Sequence, residues 1–114
     1  MTPIPFTFPD DGFTELKGTV RLEDGYVVVR LQTSLMGEWN KEERMFKIEP
    51  STLEDAELKK GLFRDRVCLV PKNLTLFEDL PGFLEGEVAF RVWRRNRKAS
   101  HALVDAIQRA IVGF

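Results

Sequence analysis

The chain holds one cysteine, one histidine and one tyrosine, and so carries few of the side chains that do covalent or metal chemistry. A lone Cys68 cannot close a disulfide within the chain, and nothing in its use points to an oxidising compartment. Cys68 and His101 together are too few for a zinc centre of the Cys/His type. No metal and no cofactor are expected. Apolar runs last only a few residues, so no segment reads as a membrane span. The start, "MTPIPFTFPDDGF", lacks a basic lead and a continuous apolar stretch and does not read as a signal peptide. A cytoplasmic location is the expectation. An excess of one charge is also missing, since 17 basic and 18 acidic residues leave a net charge of −1. That balance disfavours a dedicated nucleic-acid binder, whose phosphate contacts show as a basic surplus.

What is present is the makeup of a globular domain. At 114 residues, 43% hydrophobic and 31% charged, the chain suffices for one core and is too short for two. Residues 1–13 read as an extended arm, because Pro3, Pro5 and Pro9 block helix and discourage a central strand. Ile4, Phe6 and Phe8 alternate along it and need cover, from this domain's own sheet or from a second copy. Residues 14–114 read as the domain.

Within the domain, "ELKGTVRLEDGYVVVRLQT" predicts a β-hairpin over 14–23 and 26–33, with Asp24-Gly25 supplying a type I′ turn. Gly18 interrupts the side-chain row, as at a bulge or a close backbone approach. "SLMGEWNKEER" reads as a loop over 34–44, and "MFKIE" as a short strand with Phe46 and Ile48 inward. Ser51 and Glu54 have capping-box spacing, so 52–60 is open to helix; one helical turn followed by a strand in "AELKK" is favoured. Val67 and Leu69, then Leu74 and Leu76, predict a hairpin about Pro71-Lys72-Asn73. Pro81-Gly82 reads as a further turn. "EGEVAFRVWRR" is the last strand, with Val88, Phe90 and Val92 facing in and Arg91, Trp93 and Arg95 facing out. The period then changes. Asn96 suits an N-cap, and Ala99, Ala102, Leu103, Ala106, Ile107, Ala110 and Ile111 make a helical stripe that Gly113 ends. About seven antiparallel strands closed by one amphipathic helix fit a β-sandwich or partly open barrel.

This order, carried by "KGLFRDRVCLV", "LPGFLEGEVAFRVWRR" and "NRKASHALVDAIQRAIV", resembles the pleckstrin-homology-like (PH-like) fold. In particular it resembles the small bacterial PH-like domains, over residues 14–112. Lipid-reading members of that family hold inositol phosphates with basic residues around the first two strands and their loop. Here that loop is the acidic Glu23-Asp24-Gly25, and the tryptophan usual in the terminal helix of eukaryotic members is missing. The resemblance therefore implies a scaffold for protein contacts and carries no phosphoinositide site with it.

Two groups of residues are candidates for contact. Phe6 and Phe8 on the arm, with Leu35, Met36 and Trp39 in the 34–44 loop, would meet a protein partner or a second copy in a homo-oligomer, since aromatic residues and loops dominate interfaces. The basic residues Arg91, Arg94, Arg95, Arg97 and Lys98 form the other group. They read first as the solvated junction between strand and helix. Glutamine at 94, 95 and 97 is then expected to cost little stability. The alternative is an anion or membrane-surface site. No catalytic residue is expected. Ser100, His101 and Asp105 lie on one helix without triad geometry. Cys68 reads as a buried structural thiol, and pairs such as Glu42-Glu43 and Glu78-Asp79 occur in any chain this charged. A non-enzymatic PH-like binding or assembly module, with no small-molecule substrate, is the functional expectation.

Overall fold

Period-two alternation becomes a single antiparallel sheet in the computed structural model, which describes residues 3–8, 14–35, 38–77, 83–84 and 86–113. The strands are β1 (Ile4–Phe8), β2 (Thr14–Glu23), β3 (Tyr26–Leu35), β4 (Glu38–Ile48), β5 (Leu53–Lys59), β6 (Arg64–Pro71), β7 (Phe83–Leu84) and β8 (Glu87–Trp93), followed by helix α1 (Arg97–Val112). The strand order is β4-β3-β2-β1-β8-β6-β5, with the two-residue β7 also paired to β8. The expected class, mainly antiparallel β with one C-terminal helix, is the observed one. No ladder joins β4 to β5 among the described residues, so the sheet is open.

The β2–β3 hairpin forms as its sequence dictates. Asp24 and Gly25 have φ of 52° and 82°, the two positive values a type I′ turn requires. Gly18 marks a close approach and not a bulge: the ladder through Gly18↔Leu31 is regular, and a Cβ there would sit 1.7 Å from the Arg30 carbonyl oxygen.

Residues 4–8 are a central strand and not an arm. β1 pairs with β2 from Ile4↔Val20 to Phe8↔Leu16, and touches β8 at Thr7↔Arg91. Pro5 is tolerated because the ladder to β8 is confined to that one pair, two residues away. Ile4, Phe6 and Phe8 are buried. The rings of Phe6 and Phe8 lie 4.7 and 5.4 Å from that of Phe90, centroid to centroid.

Two further segments, 34–44 and 74–77, depart from the sequence reading, while 50–59 follows its favoured form of a helical turn and then a strand. The expected 34–44 loop is mostly strand: β3 runs to Leu35 and β4 begins at Glu38, with a register shift between Gln32 and Ser34. Backbone pairing needs no apolar alternation, which is why this ribbon reads as a loop. Residues 53–59 are strand after a 3-10 turn at Pro50–Thr52. Thr52 Oγ1 donates to the Glu49 carbonyl there, and no capping box forms. The expected strand through Leu74 and Leu76 is a 3-10 turn, set by Asn73 Oδ1, which accepts from the Thr75 amide and hydroxyl. β6 pairs with β5 and β8 instead. The Pro81-Gly82 turn and the Glu78-Asp79 pair lie outside the described residues, as do residues 1–2 and 9–13.

α1 lies mainly along β5 and the 50–52 turn. Its buried residues are Ser100, Leu103, Val104 and Ile107, while Ile111 is half-buried and Ala99 and Ala102 face out. The stripe is thus rotated from the expected one, because small alanines on either border fit both faces. Asn96 precedes the helix but makes no side-chain cap; a 3-10 turn, Arg94–Asn96, leads in. Gly113 ends the helix at φ 75°. One apolar cluster includes buried residues from β1 to β6, β8 and α1.

Candidate functional site: the β5–β6 tip and the strand–helix junction

The basic run after β8 faces the loop between β5 and β6. That loop, Lys60–Phe63, turns tightly: a Cβ on Gly61 would lie 2.1 Å from the Arg64 carbonyl oxygen. Past it, Asp65 shares the inward face of β6 with Val67 and Leu69, opposite Val92, and is fully buried. A carboxylate placed there must be paired. Arg97, in the first turn of α1, meets it in a fork, with Nε donating to Oδ2 and Nη2 to Oδ1, both at 2.8 Å. The Gly61 amide donates to the same Oδ1 at 3.0 Å. These bonds, the Arg97 pair foremost, hold the Asp65 carboxyl below the usual carboxylate range, against the opposing pull of burial. Asp65 in turn raises Arg97.

The same junction ties down the loop backbone. Arg97 Nη2 donates to the Gly61 carbonyl at 3.1 Å. Arg94 Nη1 donates to the Leu62 carbonyl at 3.3 Å, and the Arg94 amide to that of Phe63 at 3.4 Å. Three successive carbonyls are thus held by two arginines. With its backbone drawn inward, the loop displays Leu62 and Phe63, which are 72% and 77% exposed. Beside them Trp93, 44% exposed, lies under the guanidinium of Arg64 at 4.2 Å and that of Arg95 at 5.8 Å. Arg64 Nη1 also donates to Thr7 Oγ1 at 2.8 Å.

The five basic candidates therefore part company. Arg97 is a clamp, neutralised by Asp65. Arg91 is half-buried on β8, with Nη2 donating to the Phe8 carbonyl at 3.4 Å and Nε buried without a partner. Arg94, Arg95 and Lys98 are exposed. Arg95 sits in the 3-10 turn and not on the strand, though it still reaches Trp93.

The apolar candidates fare differently. Phe6 and Phe8 are core residues and offer no partner surface; the row that suggested self-association is spent on Phe90. Leu35 and Trp39 belong to β3 and β4, where Ser34 pairs with Trp39 and Leu35 with Glu38, and Met36 lies outside the described residues.

Elsewhere among the described residues little chemistry is assembled. His101 Nδ1 faces Asp105 Oδ2 at 3.2 Å, while Ser100 turns inward with its Oγ unpartnered. Cys68 is buried, and burial pushes its thiol up, which makes it a poor nucleophile. Lys59 pairs with Glu87 at 3.3 Å and is raised chiefly by that hydrogen bond. Among the described residues no three His, Cys, Asp or Glu side chains converge to hold a metal. No described helix is long and apolar enough to cross a membrane.

Leu62, Phe63 and Asp65 were not singled out from the sequence. The available signal is "KKGLFRDR": two adjacent large apolar residues cannot both face inward on a strand, and here cations flank them on both sides. Compared with models of known protein families, with curated proteins and with solved structures, the chain matches none.

Proposed function

We propose that the chain is a non-enzymatic, PH-like binding module and that its contact surface is the Leu62-Phe63 tip with the neighbouring Arg94, Arg95 and Trp93. The observation that carries this reading is the pair of large apolar side chains held out by a backbone that is itself hydrogen-bonded inward. Apolar groups displayed on a fixed loop keep their exposure at a standing cost to solubility, and such groups mark contact sites. Arg97 and Asp65 serve this surface by fixing the loop; they do not themselves meet a ligand. The mainly antiparallel sheet with its single C-terminal helix supports the PH-like part of the reading.

A photo-crosslinking residue placed at position 63 tests it in cells that natively make the protein. A defined adduct, to protein or to lipid, is expected at 63 and none at 45, where Met45 is 55% exposed on β4. Equal yields at both positions, or none at 63, contradict the reading.

A further inference from the structure

We propose that the partner of this tip is the surface of an anionic lipid bilayer. The inference rests on the reading of Leu62-Phe63 as the contact surface and adds the chemistry of what it meets.

Three observations select lipid. The first is the charge around the apex. Residues 59–66 and 94–98 carry nine charged side chains, eight of them cationic. The ninth, Asp65, is buried and neutralises Arg97, and Lys59 is paired to Glu87, which leaves six cations around the apex. A chain with net charge −1 thus gathers cations at one end, so the field of an anionic leaflet attracts that end and repels the rest, which orients the molecule.

The second is the size of the apolar part. Two side chains are far too few for the buried centre of a standard protein interface, which spans about 800 Å² per partner. They are enough for a wedge that enters the boundary between headgroups and acyl chains, about 5–10 Å deep. The third is the aromatic ring that joins the cations. Trp93, 44% exposed and in contact with the guanidiniums of Arg64 and Arg95, is an amphipathic ring of the kind enriched at membrane interfaces. Because Arg94 and Arg97 already fix the loop backbone, insertion orders little that was loose.

Co-sedimentation of the intact chain with phosphatidylcholine vesicles, with and without about 30 mol% phosphatidylserine, tests this at about 0.1 M salt, where screening acts over about 10 Å. Binding to the phosphatidylserine vesicles is expected, and at least about tenfold weaker binding to phosphatidylcholine alone. Leu62→Ser with Phe63→Ser should lose at least about tenfold in partitioning while keeping the wild-type thermal unfolding curve, since both residues are exposed. Arg94→Gln with Arg95→Gln should lose several-fold, and the wild type should weaken as salt rises. A folded wild type that ignores phosphatidylserine vesicles overturns the inference; if position 63 still crosslinks a protein, the contact-surface reading survives and its partner is an acidic protein. Vesicle binding that persists in the Leu62→Ser, Phe63→Ser protein overturns the inference too, because the lipid contact then lies elsewhere.

Discussion

Arg97 and Asp65 are unequal members of one ion pair. The Asp65 side chain is wholly buried, whereas that of Arg97 keeps 30% of its surface in solvent. Removing the arginine strands a carboxylate in the core, and leaving Asp65 so costs about 3 kcal/mol. Asp65→Asn leaves a guanidinium that can turn to water and an amide that still accepts from Gly61, so its cost should be no more than about half of that. Chemical denaturation of Arg97→Gln and Asp65→Asn at neutral pH should show this asymmetry; equal losses, or none, would argue against the clamp. The pH dependence follows from the lowered carboxyl of Asp65. A group whose folded value lies below its unfolded one contributes fully above the unfolded value, about 4, and loses that contribution as pH falls through the folded one. The advantage of wild type over Asp65→Asn should therefore be constant above pH about 4 and shrink below it. The expectation that glutamine at 94, 95 and 97 is harmless is revised accordingly: Arg94→Gln with Arg95→Gln should stay within about 0.5 kcal/mol per site, and Arg97 should account for the loss. Ser100 offers a gain. Its Oγ is buried without a partner, so Ser100→Ala should raise the free energy of unfolding, read by chemical denaturation, by about 1 kcal/mol, through relief of desolvation and better helix propensity.

At the scale of elements, β1 is the piece on which both halves of the sheet depend. Among the described residues it is the strand that joins β2 to β8 in the order, and Ile4, Phe6 and Phe8 bury their side chains in the common core. At about 1.5–3 kcal/mol per large apolar side chain, their loss rivals the whole stability of an ordinary domain. Deleting residues 1–8 should unfold the protein, read by circular dichroism; a folded protein with only an altered mass in solution would restore the arm reading. Gly18→Ala should cost about 2 kcal/mol or more, because a Cβ collides with the Arg30 carbonyl and the β2–β3 ladder must give way. These elements also show which patterns a sequence displays. The β2–β3 hairpin, β8 and α1 were legible because alternation, turn residues and a change of period agreed. β1 was not, because three prolines argue against a central strand and nothing local reveals that one ladder ends before Pro5. The end of β4 was legible in "MFKIE", but its first part, 38–44, was hidden by the lack of alternation, and the 74–77 turn by alternation that Asn73 overrides.

For the whole molecule, the cations of the junction divide into Arg97, which clamps Asp65, Arg94, which helps to tether the loop backbone while staying exposed, and others that the fold displays. The basic run was visible in "VWRRNRKAS", but not its division, because Asp65 lies 32 residues from Arg97 in the chain and only the β6–β8 register and the helix start bring them together. Leu62 and Phe63 were hidden for a related reason: their exposure follows from carbonyls that Arg94 and Arg97 draw inward, a contact between distant segments. Hydrogen–deuterium exchange of the intact chain, with and without phosphatidylserine-containing vesicles, tests most directly that the molecule acts through this end. Slowed exchange is expected in peptides covering 60–66 and 93–98, with no change across the β2–β3 hairpin. Unchanged exchange at 60–66, or protection centred on β2 and β3, would contradict it.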